Sequence, residues 1–202
     1  MTNKLLLATN NRGKLREYRM MLGNIPYELV TPAEQGISLE VEEVGETMEE
    51  NARLKAVAFA SAGGLLCLAD DSGLEVDALD GEPGVHSARY AGEGASDADR
   101  VNFLLERLKG VPWEKRKARF RCVIAIAGTA GIAAICEGEC PGIIALEPKG
   151  DSGFGYDQVF YLTELDKTMA ELSPALKNRV SHRGRAASKA AAVLKRMSVS
   201  RK

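Results

Sequence analysis

The 202-residue chain holds only four cysteines and two histidines, with no C-x-x-C spacing and neither histidine close to a cysteine in sequence. That pattern argues against a structural zinc centre. Cys67 and Cys122 lie in apolar strand-like runs, where cysteine serves as a small buried hydrophobe. Cys136 and Cys140 are four residues apart on what reads as one strand, and no disulfide is expected in a reducing compartment. No apolar run approaches the roughly 20 residues that cross a bilayer, so no membrane partner is expected. The stretch Leu5-Leu6-Leu7-Ala8 is too short for a secretion-signal core and lacks a processing site, which predicts a cytoplasmic location. Aromatic residues make up 5% of the chain and are absent from residues 173–202. The basic C-terminal region therefore lacks stacking platforms for exposed bases, and no nucleic-acid partner is expected. Repeats, low-complexity linkers and a clean domain boundary are also missing, so residues 1–202 read as one domain long enough to bury a sizeable core.

Charge of one sign is missing locally. Residues 20–52 contain no Lys or Arg, while Glu28, Glu34, Glu40, Glu42, Glu43, Glu46, Glu49 and Glu50 are acidic. Residues 173–202 contain no Asp or Glu, while Lys177, Arg179, Arg183, Arg185, Lys189, Lys195, Arg196, Arg201 and Lys202 are basic. Solvated helix faces account for most such runs. The alternative is an acidic wall for a divalent cation and a basic wall for an anion, a pairing that suits a nucleoside triphosphate with its magnesium.

The periodicity predicts a strand over residues 4–9, a turn at Asn10-Asn11-Arg12-Gly13 and a helix over 14–22 with Leu15, Tyr18 and Leu22 on one face. A short strand over 27–31 stops at Pro32. Thr47-Met48-Glu49-Glu50 is a capping box opening a helix that Gly63-Gly64 closes. Strands over 65–69 and 74–79 flank Asp70-Asp71, and a Gly/Pro-rich loop covers 80–94. Ser96 caps a helix carrying Val101, Leu104, Leu105 and Leu108. Strands over 119–127 and 132–139 form a hairpin, 150–155 is a glycine-rich loop, and 158–162 is a strand. Ser181 caps a final helix burying Ala186, Ala190, Val193, Leu194 and Met197. Hairpins interrupting strand–helix alternation give an α/β class with a mixed central sheet flanked by helices.

Four constellations carry chemistry. Thr9-Asn10-Asn11-Arg12-Gly13-Lys14 is a strand-to-helix turn, whose free amides and helix dipole seat phosphate, although an Asn-rich N-cap also explains it. It is not a Walker loop, since Leu15 stands where Ser/Thr would bind magnesium. Asp70 and Asp71 follow an apolar run and should face opposite sides of their strand, one structural and one entering a cleft. With the acidic stretch around Glu42 and Glu43 they suit magnesium, the plainer alternative being an Asx-turn at a strand end. Gly150-Asp151-Ser152-Gly153-Phe154-Gly155-Tyr156-Asp157 offers Phe154 for stacking on a base, or a loop anchored by two aromatic rings. Finally, Lys177 and Ser181-His182-Arg183-Gly184 gather cations near the start of the last helix, where a lone histidine is otherwise a satisfied structural residue.

In combination these strings resemble the noncanonical purine nucleoside triphosphate pyrophosphatases, the inosine triphosphatase (Ham1/RdgB-like) family. The resemblance is carried by the Ala8–Lys14 string, Glu50-Asn51-Ala52, Ala69-Asp70-Asp71-Ser72-Gly73-Leu74, Pro83-Gly84-Val85-His86-Ser87-Ala88-Arg89-Tyr90, Gly153-Phe154-Gly155-Tyr156-Asp157 and Ser181-His182-Arg183-Gly184. It implies two lobes with an active-site cleft between them, and magnesium-dependent hydrolysis of ITP, dITP and XTP to the monophosphate and pyrophosphate by a homodimer. It further implies that Thr9, Asn10, Asn11, Arg12, Gly13 and Lys14 hold phosphates. Asp71 would act as base and metal carboxylate, with Ser72 on the substrate and Glu42 as second metal ligand, Glu43 beside it leaving that choice open. Phe154, Gly155, Tyr156 and Asp157 would form the base wall, and Lys177, His182 and Arg183 would contact base and phosphate. Asn10 and Gln158 depart from the family pattern, where glycine and proline are frequent.

Overall fold

The computed structural model describes residues 3–199, so Arg201 and Lys202 of the basic C-terminal stretch lie outside the described residues. Its strands are β1 (Lys4–Leu7), β2 (Glu28–Val30), β3 (Leu66–Val76), β4 (Lys117–Gly128), β5 (Gly131–Ile144), β6 (Phe160–Leu162) and β7 (Lys167–Thr168). The helices are α1 (Arg12–Met21), α2 (Met48–Gly63), α3 (Asp97–Arg107), α4 (Pro174–Val180) and α5 (His182–Val199). One seven-stranded sheet runs in the order β2-β1-β3-β4-β5-β6-β7. It is mixed, as the sequence predicts: β1 is parallel to β2 and β3, with Leu6 opposite Val30 and Cys67, whereas β6 is antiparallel to β5 and β7.

The chain divides into two compact units. The first comprises 1–71, 122–138 and 183–202; the second comprises 72–121 and 139–182. Each has its own apolar core. In the first, Leu5, Leu7, Leu66, Leu68, Cys122, Ile124 and Ile126 meet Tyr18 of α1, Leu22 just after that helix, and Ala186, Ala190 and Leu194 of α5. Val193 and Met197 pack at its margin. In the second, Leu74 and Val76 join Val101, Leu104 and Leu108 around Phe120, Phe160 and Met169. The helical spacing read from residues 101–108 and 186–197 is thus the spacing that fills both cores. All four cysteines are free and buried.

Helix boundaries follow local chemistry. Asn11 caps α1 by accepting from the Lys14 amide, so the helix starts at Arg12, two residues before the expected start. The Thr47–Glu50 capping box opens α2, and Gly64 ends it with φ 62°, a left-handed conformation that glycine adopts without steric cost. The same device, Ser96 with Asp99, opens α3.

Two differences from the sequence reading bear on the site. Asp70 and Asp71 do not end a strand: β3 runs unbroken from Leu66 to Val76 because Ser72 and Gly73 keep extended backbone and Leu74 stays in the core. The segment after Val76 is a short 310 turn, Asp77–Leu79, and not strand. The second difference is α4, whose N-cap Ser173 accepts from the Leu176 amide and whose first position is Pro174. Ser181 closes α4, its amide donating to the Lys177 carbonyl, and α5 begins at the next residue.

Candidate active site

Alternation along β3 sends its two carboxylates to opposite faces, into different surroundings. Asp70 points to the side of α1 and α5. Its Oδ2 lies 3.0 Å from Lys14 Nζ and 3.6 Å from Arg183 Nε, with the Cys122 thiol at 3.8 Å. Burial alone would raise this carboxyl, but the ammonium of Lys14, the guanidinium of Arg183 and the ammonium of Lys55 outweigh it and hold it well below the usual range. Arg183 is itself buried, and its Nη1 donates to Glu17 Oε2 at 2.8 Å. Burial would lower the guanidinium, yet Asp70, Tyr18 and Glu17 raise it further. Glu17, Arg183, Asp70 and Lys14 thus form a line of alternating charge, closed at Glu17 and partly open to solvent at Lys14.

Asp71 faces α2. Asn51 Nδ2 donates to its Oδ2 at 3.2 Å, and Lys55 Nζ lies 4.0 Å from its Oδ1. The Lys55 ammonium also donates to Glu43 Oε1 at 2.7 Å and to the Asp70 carbonyl at 2.6 Å. Burial raises the Asp71 carboxyl and prevails over the opposing lysines 55 and 14, with Glu43 reinforcing the rise. Lys55 is pushed down by burial, but Asp70, Asp71 and Glu43 more than compensate, so it stays a cation. A carboxylate made more basic, partly buried and next to a lysine has the properties of a general base.

The phosphate-loop candidate lies in the same unit. The Asn11 amide donates to Thr9 Oγ1 at 3.1 Å, and Asn11 Oδ1 accepts from the Lys14 amide at 3.0 Å. The N-cap alternative is therefore realised, and it is compatible with anion binding. The first two helical amides, of Arg12 and Gly13, have no acceptor within the helix and the dipole is positive there. Asn10, Asn11 and Arg12 are exposed.

The base-wall candidates lie in the second unit. Asp157 is buried; its Oδ2 accepts from the Phe154 amide at 2.9 Å and from Lys177 Nζ at 2.6 Å. The Lys177 ammonium stands 4.6 Å from the centre of the Phe154 ring. Gly153, at φ 84°, is required here: a Cβ at that position would come within 2.1 Å of Asp157 Oδ2. The Tyr156 hydroxyl donates to the Ser87 carbonyl at 2.9 Å, so this ring anchors the loop, as the plainer sequence reading allows. His182 is buried and stacks on Phe120, ring centres 4.6 Å apart and planes 16° apart.

A sequence profile described as the Ham1 family matches residues 5–193. This chain belongs to the Ham1 family. It is 52% identical, over 96% of both chains, to a dITP/XTP pyrophosphatase of Desulforamulus reducens. It is 46% identical to one of Bacillus subtilis, covering 94% of this chain and 96% of that one. Among solved structures, a Ham1 protein of Coxiella burnetii superposes with TM-score 0.88 at 42% identity, covering 96% of this chain and 99% of that one. A Staphylococcus aureus Ham1 protein gives 0.86 at 42% identity, with 96% and 100% covered.

In this Ham1-family chain, the sequence-derived candidates fall into two groups. Thr9, Asn11, Lys14, Asp71 and Arg183 belong to the first unit, and Ser72, Phe154, Gly155, Tyr156, Asp157, Lys177 and His182 to the second. Glu42 is exposed on the acidic loop, whereas Glu43 is the acid joined to Lys55. Sequence reasoning gave no role to Asn51, although Asn51 stands in one of the strings that carry the resemblance, and none to Lys55 or Glu17. The first two had a signal: Asn51 and Lys55 are four apart on one face of a helix whose cap was legible. Glu17 had none, since its partner is 166 residues away.

Proposed function

We propose that this Ham1-family protein hydrolyses noncanonical purine nucleoside triphosphates (ITP, dITP and XTP) to the nucleoside monophosphate and pyrophosphate, removing them from the nucleotide pool. The observation that carries this reading is Asp71, a buried carboxylate of raised basicity held beside Lys55, on the strand whose other face fixes Lys14 through Asp70. Relatives bearing the name dITP/XTP pyrophosphatase at 46% to 52% identity supply the substrate class.

In this reading Thr9, Asn10, Asn11, Arg12, Gly13 and Lys14 bind the phosphates, through amides at the start of α1 and the Lys14 ammonium. Asp71 takes the proton of the attacking water, and Ser72 lies beside it on the substrate. Phe154 stacks on the purine, with Gly155, Tyr156 and Asp157 completing the wall. Lys177, His182 and Arg183 serve base and phosphate, Arg183 acting through Asp70, which also holds Lys14. A resident magnesium ion fits the donor set. Asp71 and Glu43 are hard oxygen donors flanking one lysine, and Glu43 is better supported than Glu42 because Lys55 draws it to Asp71. Magnesium takes one or two carboxylates and completes its shell with phosphate oxygens and water. When bound, magnesium supplies neutralisation of charge on the departing pyrophosphate. The chain itself adds the Lys14 charge and fixed amides, so the transition state is reached mainly through positioning and electrostatics.

Homodimerisation and a cytoplasmic location belong to the same reading. They rest on the family resemblance; among the described residues no helix is long and apolar enough to cross a membrane. The test is a panel of ITP, dITP, XTP, GTP and ATP at alkaline pH with added magnesium, with products identified. Pyrophosphate and monophosphate from the first three are expected. Orthophosphate as first product, or equal turnover of ATP, would overturn the reading.

A further inference from the structure

The loop that carries Phe154 is held at two successive amides by two different carboxylates. On one side of the Phe154 Cα, the Phe154 amide donates to Asp157 within the loop, at 2.9 Å. On the other, the Gly155 amide donates to Asp97 Oδ2 at 2.7 Å, across 58 residues of sequence. Asp97 is the first residue of α3, and its second oxygen is paired with Arg100 one turn later. The Arg100 guanidinium is fixed in turn, Nη1 donating to the Ala95 carbonyl at 2.6 Å and the Ala88 carbonyl at 3.0 Å. The Asp97 carboxylate is thus clamped from behind and aimed at one backbone N–H. Gly155, at φ 63°, has the left-handed conformation that presents its amide in that direction.

We propose that Asp97, backed by Arg100, is a positioning residue for base recognition: it sets the plane of the Phe154 ring by fixing the peptide that follows it. The inference rests on the nucleotide reading of the site for its substrate, and on the geometry alone for the clamp. Backbone torsions on both sides of Phe154 are held by charge-assisted hydrogen bonds, the stronger class of such bonds. A stacking ring contributes more to affinity when its plane is held before the base arrives, since ordering a loop on binding consumes part of the interaction.

Three variants test this. Asp97→Ala removes the acceptor, and Asp97→Asn keeps an oxygen there without the charge. Asp99→Ala breaks the capping box at the start of the same helix without touching Gly155. Inosine monophosphate and inorganic pyrophosphate are the probes, and hydrogen exchange at the Gly155 amide is read in the free protein. Asp97→Ala is expected to weaken inosine monophosphate about tenfold, the size of one lost charge-assisted bond, with pyrophosphate binding unchanged. The KM for ITP should rise by a similar factor with kcat within about twofold, because uniform binding is lost and chemistry is not. Asp97→Asn should recover part of the loss, and Asp99→Ala should cause none. Equal weakening of both probes, the same loss from Asp99→Ala, or unaltered Gly155 exchange in Asp97→Ala would overturn the proposal. Faster exchange in that variant, with no inosine monophosphate bound by the unmodified protein, would keep the clamp and overturn the nucleotide reading instead.

Discussion

Two adjacent aspartates on one strand end in opposite electrostatic states, and the difference is entirely in their neighbours. Asp70 faces three cations and is held ionised; at Asp71 burial, reinforced by Glu43, prevails over Lys55 at 4.0 Å and the charge of Lys14, and the carboxylate is made more basic. Replacing Asp71 by Asn should lower kcat by about 10²–10⁴, the range of a lost general base, with the circular dichroism unchanged. An unaffected rate would remove Asp71 from the chemistry. Asp70→Asn acts on stability. It removes the negative charge that faces Lys14 and Arg183, while Glu17 still pairs with Arg183, and should cost about 1.5–3 kcal/mol in urea unfolding at neutral pH. Because the folded pKa of Asp70 is depressed, its contribution is present above the ordinary carboxylate pKa and fades as pH falls below that value toward the folded one. The gap between Asp70→Asn and the unmodified protein should therefore narrow on acidification. The opposed faces of this pair were legible from strand alternation alone. The inward turn of Arg183 was not: a guanidinium beside a histidine at a helix start reads as an anion ligand, and only the fold brings Glu17 to it.

At the scale of elements, capping chemistry proved the most readable signal. Thr47 and Glu50 satisfy each other's backbone amides at the start of α2, and that helix carries Asn51 and Lys55 to Asp71. Thr47→Ala should cost about 1 kcal/mol, seen as a lower urea midpoint with unchanged slope. An unaltered midpoint would mean that tertiary contacts alone hold the first turn. The same logic applied to Ser173-Pro174 would have revealed α4, a signal present and passed over. The continuity of β3 was harder to read. Asp-Ser-Gly is turn composition, and here it is overridden because Leu74 and Val76 are fully buried in the second core.

For the whole molecule, the governing fact is that both units are assembled from separated stretches of chain, with β3, β4 and β5 each contributing residues to both. Neither unit is a contiguous piece of sequence, which is why composition showed no boundary. Leu104→Ala, fully buried in the core of the second unit, should cost about 2–5 kcal/mol. Since the strands are shared, unfolding followed by the fluorescence of Trp113, the sole tryptophan, should coincide with unfolding followed by far-ultraviolet circular dichroism. Separated midpoints would show that the units melt independently.

The position of α5 has a consequence for biosynthesis. Leu5, Leu7 and Tyr18 are made more than 160 residues before Ala186, Ala190 and Leu194, which pack into the same core. A chain still on the ribosome therefore carries an unfinished first core, and Glu17 and Asp70 await the guanidinium that joins them until residue 183 emerges. Completion of this core waits for residues 183–194, and β1 stays without its helical cover until then.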